Sequence, residues 1–132
     1  MNIQQYSYEG NGLQRVYENP QWMVALKNWK PENDISGLTC IERHNKTDEL
    51  FVLLDGECTL LFANEVDGKL VFDAVTMEKN KVYNIERSLW HNTITKPGVK
   101  LVVIEAPDTS MDNSDIYDLS EEELANVRNL IK

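Results

Sequence analysis

Apolar and polar residues alternate over short stretches along most of the chain, and turn residues separate the stretches. A period of two over four to eight residues marks half-buried strands. Strands are therefore expected at Trp22–Trp29, Gly37–His44, Glu49–Leu54, Glu57–Asn64, Lys69–Met77, Lys81–Ile85, His91–Thr95 and Val99–Glu105. The breakers between them include Pro31-Glu32-Asn33-Asp34, Asp55-Gly56, Asp67-Gly68 and Lys96-Pro97-Gly98. Many short strands with regular turn signals predict an all-β sandwich or barrel. Near the C-terminus the period changes. Ser120 and Glu123 form a capping box, Leu119 and Leu124 occupy the staple positions, and Leu124, Val127, Leu130 and Ile131 make a narrow apolar stripe. A short amphipathic helix is expected over Glu121–Ile131. The first twenty residues fit no single element, although Leu13, Val16 and Tyr17 would share one helical turn.

Asp55-Gly56 reads as a two-residue hairpin loop, because the dipeptide tolerates positive φ at both positions. That register would set Leu54 opposite Glu57, Leu53 opposite Cys58 and Phe51 opposite Leu60. Glu49, Phe51, Leu53, Cys58, Leu60 and Phe62 would then share one face, and Leu50, Val52, Leu54 and Leu61 the other. Both faces are apolar, which a sheet wetted on one side would not show. The outer face is expected to lie under the chain's own ends or under a second subunit, and a homodimer is the expected assembly.

Length and composition narrow the class. At 132 residues, 42% hydrophobic and 27% charged, the chain suits a single domain able to bury a core without disulfides or a structural metal. The net charge of −9 repels phosphate backbones and anionic lipid, so neither a nucleic acid nor a membrane is an expected partner; a small-molecule ligand is. Cys40 and Cys58 make no disulfide framework, the N-terminal residues lack a basic and apolar leader pattern, and no apolar run reaches membrane-spanning length. A cytoplasmic location is the expectation that follows.

The candidate chemistry gathers around two histidines, His44 and His91. His44 is followed by the polar tetrapeptide Asn45-Lys46-Thr47-Asp48 and then Glu49. A turn there resets the alternation, so His44 can end one strand facing inward while Glu49 begins the next facing inward too. Glu42 lies two residues before His44 on the same face, about 7 Å away along the strand. His91 would close the group from a distant strand. Cys40 and Cys58 read as small buried apolar residues, the tryptophans as packing, and Arg87 as a surface charge close to His91 that could also hold an anion.

The run Glu42-Arg43-His44-Asn45-Lys46-Thr47-Asp48-Glu49, with Gly56 seven positions further on, resembles the first cupin motif, H-x-H, three or four residues, E, six residues, G. Glu42 stands where that motif has its first histidine. The second motif, G-x5-P-x-G-x2-H-x3-N, is matched at His91, with Asn80, Glu86, Ser88 and Thr95 at its other positions. Asn80 tolerates the left-handed backbone that the first Gly would supply. The resemblance covers roughly residues 37–105. It implies a double-stranded β-helix, the jelly-roll or cupin barrel, with its core at about residues 22–107 and the helix at about 120–131. It also implies one divalent metal (Zn, Fe, Mn or Ni) bound by His44, Glu49 and His91, with Glu42 as fourth ligand or general base. Two His and one carboxylate with open positions is also the pattern of non-haem iron sites.

A cupin fold does not fix a function. The resemblance leaves open a metal-dependent isomerase, epimerase or dioxygenase acting on a sugar-like or carbonyl substrate. It equally allows a non-catalytic or metal-free carbohydrate-binding barrel in which His44 or His91 is itself the base.

Overall fold

The computed structural model describes residues 2–131. Its elements are β1 (Leu13–Glu18), β2 (Met23–Asn28), β3 (Cys40–His44), β4 (Glu49–Asp55), β5 (Cys58–Val66), β6 (Lys69–Thr76), β7 (Val82–Ile85), β8 (Trp90–Thr95), β9 (Lys100–Glu105), β10 (Ser114–Asp118) and α1 (Glu121–Leu130). The strands form two antiparallel five-stranded sheets, ordered β1-β2-β9-β4-β7 and β10-β3-β8-β5-β6. Apart from the β1–β2 and β5–β6 hairpins, successive strands cross from one sheet to the other, which is jelly-roll topology. No ladder joins β7 to β6 or β1 to β10 among the described residues, so the expected barrel is an open two-sheet sandwich.

The inner faces meet in one core built from both sheets. Met23, Ala25, Phe51, Leu53, Leu101 and Val103 come from the first sheet, and Cys58 and Leu60 from the second. Each is at most 4% exposed, as the inward half of a period-two pattern should be. A second core lies on the outer face of the second sheet, where Leu119, Leu124 and Val127 bring α1 down onto Ile41, Leu61, Ala63 and Ile94. The helix starts as its sequence dictates: the Ser120 hydroxyl accepts from the Glu123 amide, and the Glu123 carboxylate accepts from the Ser120 amide. No helix is long and apolar enough to cross a membrane.

Three expectations are corrected. Residues 13–18 form a strand rather than a helical turn; a register shift between Arg15 and Tyr17 breaks the alternation that would have marked it. The short acidic strand β10, edge partner of β3, was not expected at all. Asp55-Gly56 does not close a hairpin. β4 pairs with β7 and β9, β5 with β6 and β8, and the dipeptide is the arch between the two sheets. Only Gly56 of the two has positive φ, at 74°. Leu61 accordingly lies under α1, fully buried, and not beside Leu50 and Val52, which sit on the outer face of the other sheet.

Candidate metal centre

The sheet registers stack the inward residues in layers, and the layer at one end of the core is polar. In the first sheet Met23 pairs with Glu105 and Glu49 with Ile85, while Leu50 pairs with Ile104, which brings Glu49 beside Glu105. In the second, Glu42 pairs with His91 and His91 with Phe62. His44 ends β3 two residues beyond Glu42. Histidines and carboxylates from both sheets thus face one another across the core.

Two loops fix this layer. The turn after His44 and the loop before His91 are bonded together: the Ser88 amide donates to the His44 carbonyl at 2.7 Å, the Ser88 hydroxyl to Asn45 at 3.0 Å, and the Arg87 amide to Asp48 at 2.9 Å. Asn80 and Ser88 stand where the second motif has glycines, and both keep left-handed backbone, with φ of 69° and 66°. The sequence departs from the motif while the chain path it encodes survives. Arg87 itself is exposed, and Arg43 points away from the centre, bonded to Asp115 at 2.8 Å and lying 4.4 Å over the Trp90 ring. Cys58 is buried and its thiol is pushed up to about 12 by burial, which leaves it inert at neutral pH.

All four residues singled out from the sequence meet. His91 Nε2 lies 2.9 Å from Glu49 Oε1, His44 Nε2 lies 3.6 Å from the same oxygen, and His44 Nε2 lies 3.7 Å from Glu42 Oε1. The imidazole rings are 5.4 Å apart, edge to face. Two donors about 2 Å from one ion lie roughly 3–4 Å apart, so these separations suit a shared metal. Glu42, His44 and His91 offer donor atoms all within 4.8 Å of one another, and so do His44, Glu49 and Glu105.

Glu105 is the site residue that the sequence reading missed. Its signal was the inward column Leu101, Val103, Glu105 at the end of β9, the mirror of Glu49 at the start of β4. One oxygen of Glu105, Oε2, is buried with no hydrogen-bond partner. A buried polar atom without a partner is costly, and a cation would satisfy it. Ser114 was missed too; its hydroxyl is bonded to His44 Nδ1 at 2.8 Å.

The protonation pattern follows from geometry. His91 Nδ1 donates to the Leu89 carbonyl at 2.9 Å, so in the neutral ring Nε2 carries a lone pair aimed at the centre. Without an ion, the short contact to Glu49 requires a proton between the two groups. Burial works against both charges, yet the mutual hydrogen bond and attraction prevail: Glu49 is held below the ordinary carboxylate range and His91 above the ordinary imidazole range. Glu105 moves the other way, pushed up to about 8 by burial and by the Glu49 charge beside it. Lys27, the inward residue after Met23 and Ala25 on β2, is pushed down by burial against the pull of Glu49 and Glu42.

No protein-family model matches the sequence, and no curated protein matches it. Solved structures do match in shape. Pac13 from Streptomyces, described as a nucleoside dehydratase, superposes with a TM-score of 0.59 at 11% identity, over 91% of this chain and 98% of that one. CapF, solved with the inhibitor 3-isopropenyl-tropolone, gives 0.59 at 19% identity, over 86% of this chain and 33% of that one. KdgF from Halomonas sp. gives 0.51 at 12% identity, over 76% and 80%. The chain has the fold of the cupin superfamily.

Proposed function

We propose that His44, Glu49 and His91 hold one divalent transition metal, with Glu42 and Glu105 at its margin, and that the centre acts on a small polar metabolite. The observation that carries this reading is the convergence of two imidazole nitrogens on one buried carboxylate oxygen, His91 Nε2 at 2.9 Å and His44 Nε2 at 3.6 Å from Glu49 Oε1, from three strands in two sheets. A divalent ion there would supply Lewis acidity toward a carbonyl or hydroxyl oxygen of the substrate. The protein's own groups divide the proton work. Glu42, whose side chain is 37% exposed, stands at the open side of the cluster and can take a proton from a bound ligand. Glu105, the second carboxyl beside His44 and Glu49, can exchange a proton from the other side. Isomerisation or epimerisation next to a carbonyl suits that pairing; oxygen chemistry at a two-His, one-carboxylate centre is the other reaction class it supports. The three structural neighbours lend a fold and, in Pac13, one dehydratase precedent for chemistry inside it.

The direct bond between His91 and Glu49 favours one further reading, a metal-free barrel in which the pair acts as a base or binds a sugar hydroxyl. Elemental analysis separates the two. The wild-type chain should purify with close to one transition-metal ion, and a His44→Ala, His91→Ala double variant should be folded and empty. Equal metal content in both would overturn the metal reading. Glu42→Gln then assigns that residue: a ligand role lowers metal content, whereas a base role leaves it intact and abolishes turnover.

The proposal extends to assembly. Two chains are taken to pair through the outer face of the first sheet, where Leu50 and Val52 lie and which α1 does not cover.

A further inference from the structure

Between the unjoined edges of the two sheets, β5 and β6 on one side and β7 on the other, lies a cavity of about 190 Å³. Leu60, Phe62, Val75, Tyr83, Asn84, Ile85 and Leu89 line it. Its position is set by register. Phe62 is the cross-strand partner of His91, and Ile85 that of Glu49. Directly opposed residues in an antiparallel pair project from the same face with their Cβ atoms about 5 Å apart. Two walls of the cavity are therefore the immediate neighbours of two residues of the metal centre. Leu89 supplies a third link, through the carbonyl that accepts from His91 Nδ1.

The lining is chemically one-sided. Five of the seven lining residues are aliphatic or phenyl side chains; the Asn84 amide donates to Asp48 at 3.3 Å, and the Tyr83 hydroxyl accepts from the Glu78 amide at 2.9 Å. Tyr83 thus offers its ring, while its oxygen already accepts one hydrogen bond. Val75 at the rim is 41% exposed and Phe62 is only partly buried, so the chain leaves apolar surface open beside a charged centre. Uncovered apolar surface next to convergent polar groups is the composition of a ligand site. An apolar cavity of about 150 Å³ accepts benzene, which makes this one the size of a single six-membered ring.

We infer that this slot seats the ring of a small planar, unsaturated substrate whose oxygen-bearing substituent points at His44, Glu49 and His91. The substrate class is then two-ended: a flat apolar ring between β6 and β7, and an oxygen donor one ring-width away at the polar layer. The inference deepens the proposed function and rests on it for the oxygen end only; the slot and its ring stand on the lining and the register.

Two probes test the two ends separately. Phenol, which does not chelate, reads the slot in metal-free protein. It should shift the methyl NMR signals of Leu60, Ile85 and Leu89, and should not do so in Val75→Trp, a rim substitution that fills the slot from an exposed position. Unmoved methyls in the wild-type chain would overturn the inference whatever the metal does. Benzohydroxamate and acetohydroxamate share one chelating head and differ by the ring. On zinc-loaded protein the ring compound should bind about tenfold tighter, the return from partly burying one phenyl group, and in Val75→Trp the ratio should fall to about one. Equal affinities in the wild-type chain would reject the slot while leaving the metal centre standing. Phenol binding without any metal retention would reject the metal centre while leaving the slot.

Discussion

The carboxyl groups of Glu49 and Glu105 face each other inside the core, and only one of them ionises easily there. Glu105 keeps its proton up to about pH 8 in the fold, against an ordinary value of 4.5 when unfolded. A raised folded-state pKa means that the native chain binds more protons than the unfolded chain between those limits. Its contribution to stability is full below pH 4.5 and is lost as pH rises toward 8. His91, also raised, acts in the same direction, whereas the lowered Glu49 contributes above its ordinary value of 4.5 and is lost only in more acid solution. Chelated protein should therefore lose stability to urea from pH 5 to pH 8, and Glu105→Gln should flatten that slope. Parallel curves for the two proteins would refute the assignment. The sequence made Glu42, His44 and Glu49 legible because a polar tetrapeptide resets the alternation locally, so their common direction needs no knowledge of the sheet. Glu105 was out of reach because its place beside Glu49 depends on β9 lying next to β4, the strand that pairs Leu50 with Ile104, and nothing local specifies so distant a neighbour.

At the scale of elements, strand positions were readable to within a few residues wherever alternation ran unbroken, and were lost where a bulge or a short acidic edge interrupted it. Turn residues carried less than expected. Asp55-Gly56 announces a reversal of the chain but not whether the next strand pairs with the last one or crosses to the facing sheet. The structure shows what the glycine is for: a Cβ at Gly56 would lie 2.7 Å from Val99 Cα and 2.8 Å from the Gly98 carbonyl oxygen. Gly68, in the β5–β6 turn, has nearly the same backbone angle, 77° against 74°, but nothing within 4 Å of such a Cβ. The pair isolates close approach from conformational freedom. Gly68→Ala should cost about 1 kcal/mol, the strain of a left-handed L-residue. Gly56→Ala should cost about 3 kcal/mol or more, since backbone must move as well. Urea midpoints measure both, and equal losses would show that the arch has room to relax.

At the scale of the whole molecule, one surface is left unexplained by the single chain. On the outer face of the first sheet, Leu26, Val102, Val52 and Val82 form one cross-strand row, and Val24, Ile104 and Leu50 another. Four strands spaced about 4.8 Å apart carry these rows over some 15 Å without a charged residue in them. Val82 is 67% exposed and Leu54, beside the rows, 48%. The facing sheet has α1 over its outer side; this one carries no helix, and the N-terminal segment meets it at the Asn28 and Lys100 end, where both side chains donate to the Tyr8 carbonyl. In a chain of net charge −9, whose monomers repel, two charge-free apolar rows are where association costs least. A second copy is the occupant that needs no further molecule, because antiparallel rows meet their own image across a twofold axis. Light scattering at micromolar concentration should give twice the 15.2 kDa chain mass. Val52→Lys should then yield a folded monomer with a little-changed unfolding midpoint, since Val52 is only partly buried within one chain. Monomeric mass for the wild-type chain would overturn the dimer, and a Val52→Lys chain that unfolds would place the cover for this face within the chain itself.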